Sequence, residues 1–188
     1  MENMVFPHGK WICAERFAAL EPIDVLHKEH EKKVIELPDN LKNIHMLVRR
    51  TFNVLKAHGR IRIRITADDY YKLYINGRFV GQGPAQGYPF CYYWNEYDIT
   101  EYVTEGKNDI FVNVYYQGLI NRAYNSGDRR MGMIAEIFDN HSCILSTDSE
   151  WEYALSNAYK MTHTIGMARC LLRILIVGSI LHIGINVV

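Results

Sequence analysis

The stretch Asp68–Tyr116 decides the fold. It opens as DDYYKLYINGRFVGQGPAQGYP, Asp68–Pro89, and closes as YDITEYVTEGKNDIFVNVYY, Tyr97–Tyr116. Tyr71, Leu73 and Ile75 alternate with Tyr70, Lys72 and Tyr74. A period of two sends the first set to one face of a strand and the second to the other, so one face is apolar and the other half polar. Asn76-Gly77 follows directly and supplies the two positive φ angles of a type I′ turn, so the chain returns as a hairpin from Phe79 and Val80. Gly81, Gly83, Pro84, Gly87 and Pro89 then crowd together and predict an ordered loop. After the turn signal Glu105-Gly106-Lys107-Asn108, the alternation of Ile110, Val112, Val114 and Tyr116 predicts a second strand.

Working outward, the same period recurs. Val34, Ile35 and Leu37 ahead of Pro38 read as a strand. Leu41–Leu55 reads as a longer one, with Met46, Val48, Phe52 and Val54 on one parity. Arg50 shares that parity and breaks the apolar row, which predicts a bulge near Arg49-Arg50. Arg60, Arg62 and Arg64 alternate with Ile61, Ile63 and Ile65, so the isoleucines point inward and the arginines form a solvated face. Gln117–Arg130 is rich in turn residues and predicts a surface loop. Met131–Phe138 reads as a strand, Asp139-Asn140 as a turn and Ser142–Ser146 as the next strand. Short strands at regular spacing, with almost no helical period, predict an all-β protein, a jelly-roll β-sandwich.

Length and composition bound the rest. At 188 residues, 48% hydrophobic and 22% charged, the chain can bury a real core. The expected division is a lead-in over 1–10, a β-sandwich domain over 11–166, and an atypical apolar tail over 167–188. That tail, MARCLLRILIVGSILHIGINVV, admits three readings. Leu171–Val177 and Ile180–Val188 can pair about Gly178-Ser179. A membrane helix is interrupted by Arg173 and His182 and is short. The reading taken is a segment out of frame or truncated, without an evolved partner. Lys plus Arg and Asp plus Glu balance at 21 each, so there is no electrostatic case for nucleic acid or an acidic membrane as partner. Cys13, Cys91, Cys143 and Cys170 fit no zinc spacing and read as reduced thiols. The N-terminus shows neither a basic region nor an apolar run, so the expectation is a cytoplasmic protein. His27 and His30 read as surface histidines, and neither a metal nor a cofactor is expected.

Of the chemistry-bearing constellations, carbohydrate binding is the best supported. Thirteen tyrosines are an unusual number. Tyr88, Phe90, Tyr92, Tyr93 and Trp94 cluster after the glycine-rich stretch, with Asn95 and Glu96 beside them. Sugars offer apolar C–H faces and hydroxyl rims, so a site wants aromatic platforms with a few amides and carboxylates. Asn121, Arg122 and Tyr124 are secondary candidates. The same aromatics could instead pack the core or dock a neighbouring domain. Glycoside hydrolysis needs two carboxylates flanking a bond, roughly 6.5–9.5 Å apart in an inverting enzyme. Asp68, Asp69, Glu96, Asp98, Glu101 and Asp128 are available, but their positions read as structural. No G-x-S-x-G is present, and Gly81-Gln82-Gly83-Pro84 leads into no helix, so it cradles no phosphate.

Taken in order, Ala67-Asp68-Asp69-Tyr70-Tyr71, Leu73-Tyr74-Ile75-Asn76-Gly77, Val80-Gly81-Gln82-Gly83-Pro84, Tyr97-Asp98-Ile99-Thr100 and Glu105-Gly106-Lys107-Asn108 resemble the N-terminal β-domain of the bacterial α-L-rhamnosidases, the inverting enzymes of glycoside hydrolase family 78. Thr147-Asp148-Ser149-Glu150-Trp151 extends the likeness. The resemblance implies a sandwich of galactose-binding-like type that is one module of a much longer enzyme. In that family the catalytic acids lie downstream in an (α/α)6 barrel, and no such sequence is present here. The expected function is therefore an accessory, non-catalytic domain of an α-L-rhamnosidase-like glycoside hydrolase. An independent carbohydrate-binding module and a purely structural docking sandwich are the alternatives. Expected partners are a carbohydrate of rhamnoside or galactoside class, or the catalytic domain of the same enzyme.

Overall fold

The computed structural model describes residues 5–23, 38–56, 58–88, 90–119, 127–165 and 170–175. Eleven strands are named in chain order: β1 Ile44–Val54, β2 Ile61–Asp68, β3 Tyr70–Ile75, β4 Arg78–Gly83, β5 Asn95–Asp98, β6 Gly106–Tyr116, β7 Gly132–Asp139, β8 Ser142–Ser146, β9 Glu152–Leu155, β10 Tyr159–Ile165 and β11 Cys170–Leu175. One sheet has five strands in the order β4-β3-β6-β1-β9, a second has four in the order β5-β2-β7-β8, and β10 and β11 form a two-stranded sheet. A single turn of helix, α1 Glu15–Ala18, buries Phe17. The fold is the expected all-β sandwich of galactose-binding-like type.

The alternation of each strand builds the core directly. Met46, Val48, Leu73, Ile75, Ile110, Val112 and Val114 face inward from the five-stranded sheet, and Ile61, Ile63, Ile65, Met133 and Ile137 from the four-stranded one; all are buried. The hairpin joining β3 and β4 turns at Asn76, φ 50°, and Gly77, φ 74°, the two positive angles that Asn-Gly supplies cheaply.

Several expectations are corrected. The register between β1 and β6 runs unbroken from Ile44↔Tyr116 to Val54↔Gly106, so there is no bulge at Arg50. Arg50 keeps the inward parity because its guanidinium reaches the carboxylate and the carbonyl of Glu150, leaving only its stem beside apolar neighbours. The glycines of the expected loop belong partly to a strand, since β4 runs through Gly83. A Cβ at Gly81 would strike the ring of Tyr97, and one at Gly83 the amide of Asn95. These two glycines let β4 of one sheet close on β5 of the other. The stretch expected as a surface loop has buried ends, at Gln117 and Asp128.

At the N-terminal side, the amides of His8 and Gly9 both donate to Oε1 of buried Glu136 at 2.6 Å, and Lys10 donates to the Thr147 carbonyl. Between β8 and β9 the Trp151 indole donates to the Ser146 carbonyl at 2.9 Å. In the tail, β11 pairs antiparallel with β10, from Tyr159↔Leu175 to Ile165↔Cys170. The strand expected over Val34–Leu37, His27, His30 and the tail segment 176–188 lie outside the described residues.

Candidate functional site

The structure disperses the aromatic cluster read from the sequence. Tyr88 stacks on Phe90 at 5.5 Å and 4°, and both rings are exposed. Tyr92 turns inward, its hydroxyl donating to Oδ2 of Asp68 at 2.6 Å and its ring edge meeting Trp11 at 5.5 Å. Tyr93 is exposed while its carbonyl accepts from the Thr66 hydroxyl at 2.6 Å. Trp94 lies near Phe6 and under the Arg64 guanidinium. Glu96 is gripped by Arg62 at 3.1 Å and Arg64 at 2.8 Å, and these two arginines hold its carboxyl below the usual range. Asn95 accepts from the Tyr71 hydroxyl at 2.8 Å. Asn121, Arg122 and Tyr124 lie outside the described residues. Of the candidates among the described residues, only Asn95 reaches the hollow lined by His45, Tyr70, Lys72 and Asn113.

That hollow is a trough of about 660 Å³ on the outer face of the five-stranded sheet. It is built by strand parity. The residues that face inward on β3, β6 and β1 leave their neighbours facing out, and register aligns those neighbours in rows. In one row Tyr70 of β3 lies opposite Tyr115 of β6, which lies opposite His45 of β1. The rings stack in sequence: Tyr70–Tyr115 at 6.2 Å, Tyr115–His45 at 4.6 Å and His45–Tyr159 at 3.8 Å. In the next row Lys72 of β3 lies between Gln82 of β4 and Asn113 of β6. A band of rings thus runs beside a band of amides with one ammonium. Gln86 donates to the Tyr70 hydroxyl at 2.5 Å, and the His45 Nδ1 lies 3.1 Å from Oδ1 of Asn113, so both bands are positioned by hydrogen bonds.

A second constellation lies at the end of β2. Asp68, Asp69 and Asp128 are all buried. Asp69 Oδ2 accepts the Gln117 amide at 2.7 Å, and Asp128 binds the Arg130 amide at 2.8 Å and its Nε at 2.7 Å. Burial and then the adjacent Asp69 push the Asp68 carboxyl well above the ordinary range, against the pull of the Tyr92 hydroxyl. Burial and then Asp68 push Asp128 up to about 7, even with Arg130 beside it. Burial likewise raises the Tyr116 and Tyr92 hydroxyls. By contrast, Asp98 is held down at about 2 by the hydroxyl and amide of Thr100 and by Arg60. Among the described residues no group of three or more His, Cys, Asp or Glu is arranged to hold a metal ion. No described helix is long and apolar enough to cross a membrane.

A ring-lined, amide-rimmed trough on a jelly roll is the setting in which the comparisons with known proteins are read. The family described as glycosyl hydrolases family 2, sugar binding domain, matches residues 36–142, more than half of the chain. The chain belongs to this sugar-binding domain family. Among solved structures, the domain is similar to the family 78 rhamnosidase of Bacillus sp. GL1, with 25% identity and a TM-score of 0.62 over 71% of this chain. The α-L-rhamnosidase of Aspergillus terreus shares the fold at 20% identity and a TM-score of 0.51 over 66% of this chain. The domain spans 14% of the length of the Bacillus enzyme and 16% of that of the Aspergillus one. No curated protein matches it. The resemblance to rhamnosidase β-domains carried by Ala67–Asn108 therefore extends to three dimensions.

The trough residues that the sequence reading passed over are Tyr70, Lys72, Gln82, Asn113, Tyr115, His45 and Tyr159. His45, Tyr70, Lys72, Asn113 and Tyr115 carried a weak signal, an outward parity on a strand already recognised, whereas Gln82 fell in the stretch expected as a loop and Tyr159 in a stretch for which no strand was expected. Nothing in the sequence says that β6 lies between β3 and β1, and it is this order that turns single outward residues into rows.

Proposed function

We propose that this sugar-binding domain is a non-catalytic accessory module of an α-L-rhamnosidase-like glycoside hydrolase, and that it contacts carbohydrate through the trough on its five-stranded sheet. The observation that carries the proposal is the juxtaposition of the stacked rings Tyr70, Tyr115, His45 and Tyr159 with the amides Gln82, Asn95 and Asn113 in one hollow of about 660 Å³. His45 and Tyr115 are buried within the stack, so Tyr70 and Tyr159, half-buried at its two ends, are the rings left to meet the apolar side of a pyranose, and the amides accept and donate to its hydroxyls. A non-catalytic role is supported by the uses of the carboxylates. Glu96 and Asp98 are held by arginines, and Asp68, Asp69 and Asp128 are buried and do not line this trough. The test is an amide chemical-shift titration of the chain with L-rhamnose and with D-galactose. Shifts concentrated at Tyr70, Lys72, Gln82, Asn113 and Tyr115, without hydrolysis of an aryl α-L-rhamnoside, support the proposal. Shifts confined to Tyr88–Glu96 would move the site to that loop, and no shift with either sugar would remove the carbohydrate role.

A second reading is favoured by one observation. Tyr88, Phe90, Tyr93 and Trp94 expose 37%, 79%, 53% and 41% of their surface. On a domain that spans 14% of the length of its Bacillus relative, this loop is suited to pack against the remainder of the parent enzyme.

A further inference from the structure

We infer that the trough selects saccharides bearing a carboxylate, uronic acids, over their neutral counterparts; this deepens the carbohydrate reading above and rests on it. The argument is electrostatic and geometric. Among the described residues that line the trough, Lys72 is the one lysine or arginine, and there is no aspartate or glutamate. Its ammonium makes no ion pair with a described residue, although Arg49, Arg50, Arg60, Arg62, Arg64 and Arg130 all do. An anion entering the trough therefore meets a cation that has no competing ion-pair partner among the described residues and no acidic side chain among those that line the trough.

The neighbours of Lys72 add direction. Register places Gln82 on one side and Asn113 on the other, each on the adjoining strand. Strands in a sheet lie about 4.8 Å apart, so each amide stands about one strand spacing from the ammonium's strand, and one sugar ring can reach the ammonium together with either amide. The ring row Tyr70–Tyr115–His45 runs alongside, two residues away on each strand. A pyranose held against Tyr70, the half-buried end of that row two residues from Lys72 on β3, turns its substituents toward the polar row. A hydroxyl there gains an amide contact, and a carboxylate gains an amide contact and the ammonium as well. Lys72 is exposed, so the pair with a carboxylate is screened and its gain is modest, roughly three- to fivefold in affinity.

D-galactose and D-galacturonate differ only at C6, where a primary alcohol becomes a carboxylate, so they isolate this interaction. The experiment measures both dissociation constants by amide-shift titration of the whole chain, for the native sequence, Lys72→Gln and Lys72→Glu. Lys72 is an exposed strand residue, and the dispersion of the amide spectrum reports whether each variant is folded. The expected result is galacturonate bound roughly three- to fivefold tighter than galactose at low salt, the ratio falling toward one at about 0.5 M salt. Lys72→Gln should bring the ratio to one, and Lys72→Glu should invert it. Equal affinity of the native chain for the two sugars, or a preference untouched by both substitutions, overturns the inference while leaving the trough as a sugar site. Absence of binding by either sugar overturns the carbohydrate reading itself.

Discussion

The outer faces of the two sheets arise from the same alternation and end in opposite states. On the four-stranded sheet, Arg60 stands just before β2, Arg62 and Arg64 project from it, and β5 alongside presents Asp98 and Glu96. Arg60 binds Asp98 at 2.7 Å, Arg62 and Arg64 bind Glu96, and the Arg64 guanidinium also lies 5.1 Å from the Phe138 ring centre. The arginines expected to be a solvated face are answered within the molecule. On the five-stranded sheet, Lys72 projects from β3 between two amides, beside a row of rings, and no described residue answers its charge. What an outward row can do is set by the row at the same level on the next strand. One face has its charges answered by its own neighbours, and the other keeps a cation that no described residue answers.

The comparison can be broken most severely from inside. Leu73 is fully buried beneath the trough floor, between Lys72 and Tyr74. Leu73→Ala should cost about 2–5 kcal/mol of stability, read from denaturant unfolding, and should abolish sugar binding only through the loss of the fold. If the variant were as stable as the native chain, the inward parity of β3 would be wrong and the trough with it.

A smaller effect separates the buried carboxylates from the exposed ones. Asp68 and Asp128 are raised above the value of about 4 that an unfolded aspartate has, so between about pH 4 and 7 the folded state holds protons that the unfolded state has released. Stability therefore falls as pH rises through that window, by on the order of 2–4 kcal/mol. Glu96 and Asp98 act in the opposite sense, since their values are lowered and their contribution is lost as pH falls below about 4. The melting temperature should accordingly be highest near pH 4–5, and Asp128→Asn should flatten the decline toward pH 8. A melting temperature that climbs from pH 5 to pH 8 would mean that this cluster is ionised throughout.

The open face and the closed face are sharpened by one substitution each. Tyr70→Ala removes a half-buried ring from the edge of the trough and should lower galactose affinity roughly five- to tenfold, with little change in melting temperature. Glu96→Gln weakens the fork to Arg62 and Arg64 and should cost at most about 1 kcal/mol, because the pair is partly exposed. It should not alter sugar affinity. A loss of binding in Glu96→Gln without one in Tyr70→Ala would return the site to the loop that the sequence pointed to.

The loop that the sequence pointed to and the trough on the five-stranded sheet differ in how their side chains are grouped. Tyr88, Tyr92, Tyr93 and Trp94 are neighbours in the chain, but they precede β5 in backbone outside the named strands, where no strand parity gathers their side chains on one face. Tyr92 goes inward to Asp68, and Trp94 goes outward to Arg64. Chain proximity of aromatics is therefore weak evidence for a shared site in a β-protein. Asn95 reached the trough because β5 begins there, closing on β4 where Gly83 leaves room for it.

Local chemistry sufficed for the alternation, the Asn76-Gly77 hairpin, the inward isoleucines of β2 and the all-β class, since each depends on residues adjacent in the chain. The likeness of Ala67–Asn108 to rhamnosidase β-domains was legible for the same reason, as ordered local motifs. Tertiary structure alone decided that β6 lies between β3 and β1, that Tyr70, Tyr115 and His45 stack as one row, that buried Asp68 acts on the charge of buried Asp128, and that Lys72 is unanswered by any described residue where Arg62 is not. Those facts depend on which strands meet and in what register, and pairing between strands some sixty residues apart is selected by burial of the whole core, which no short stretch encodes.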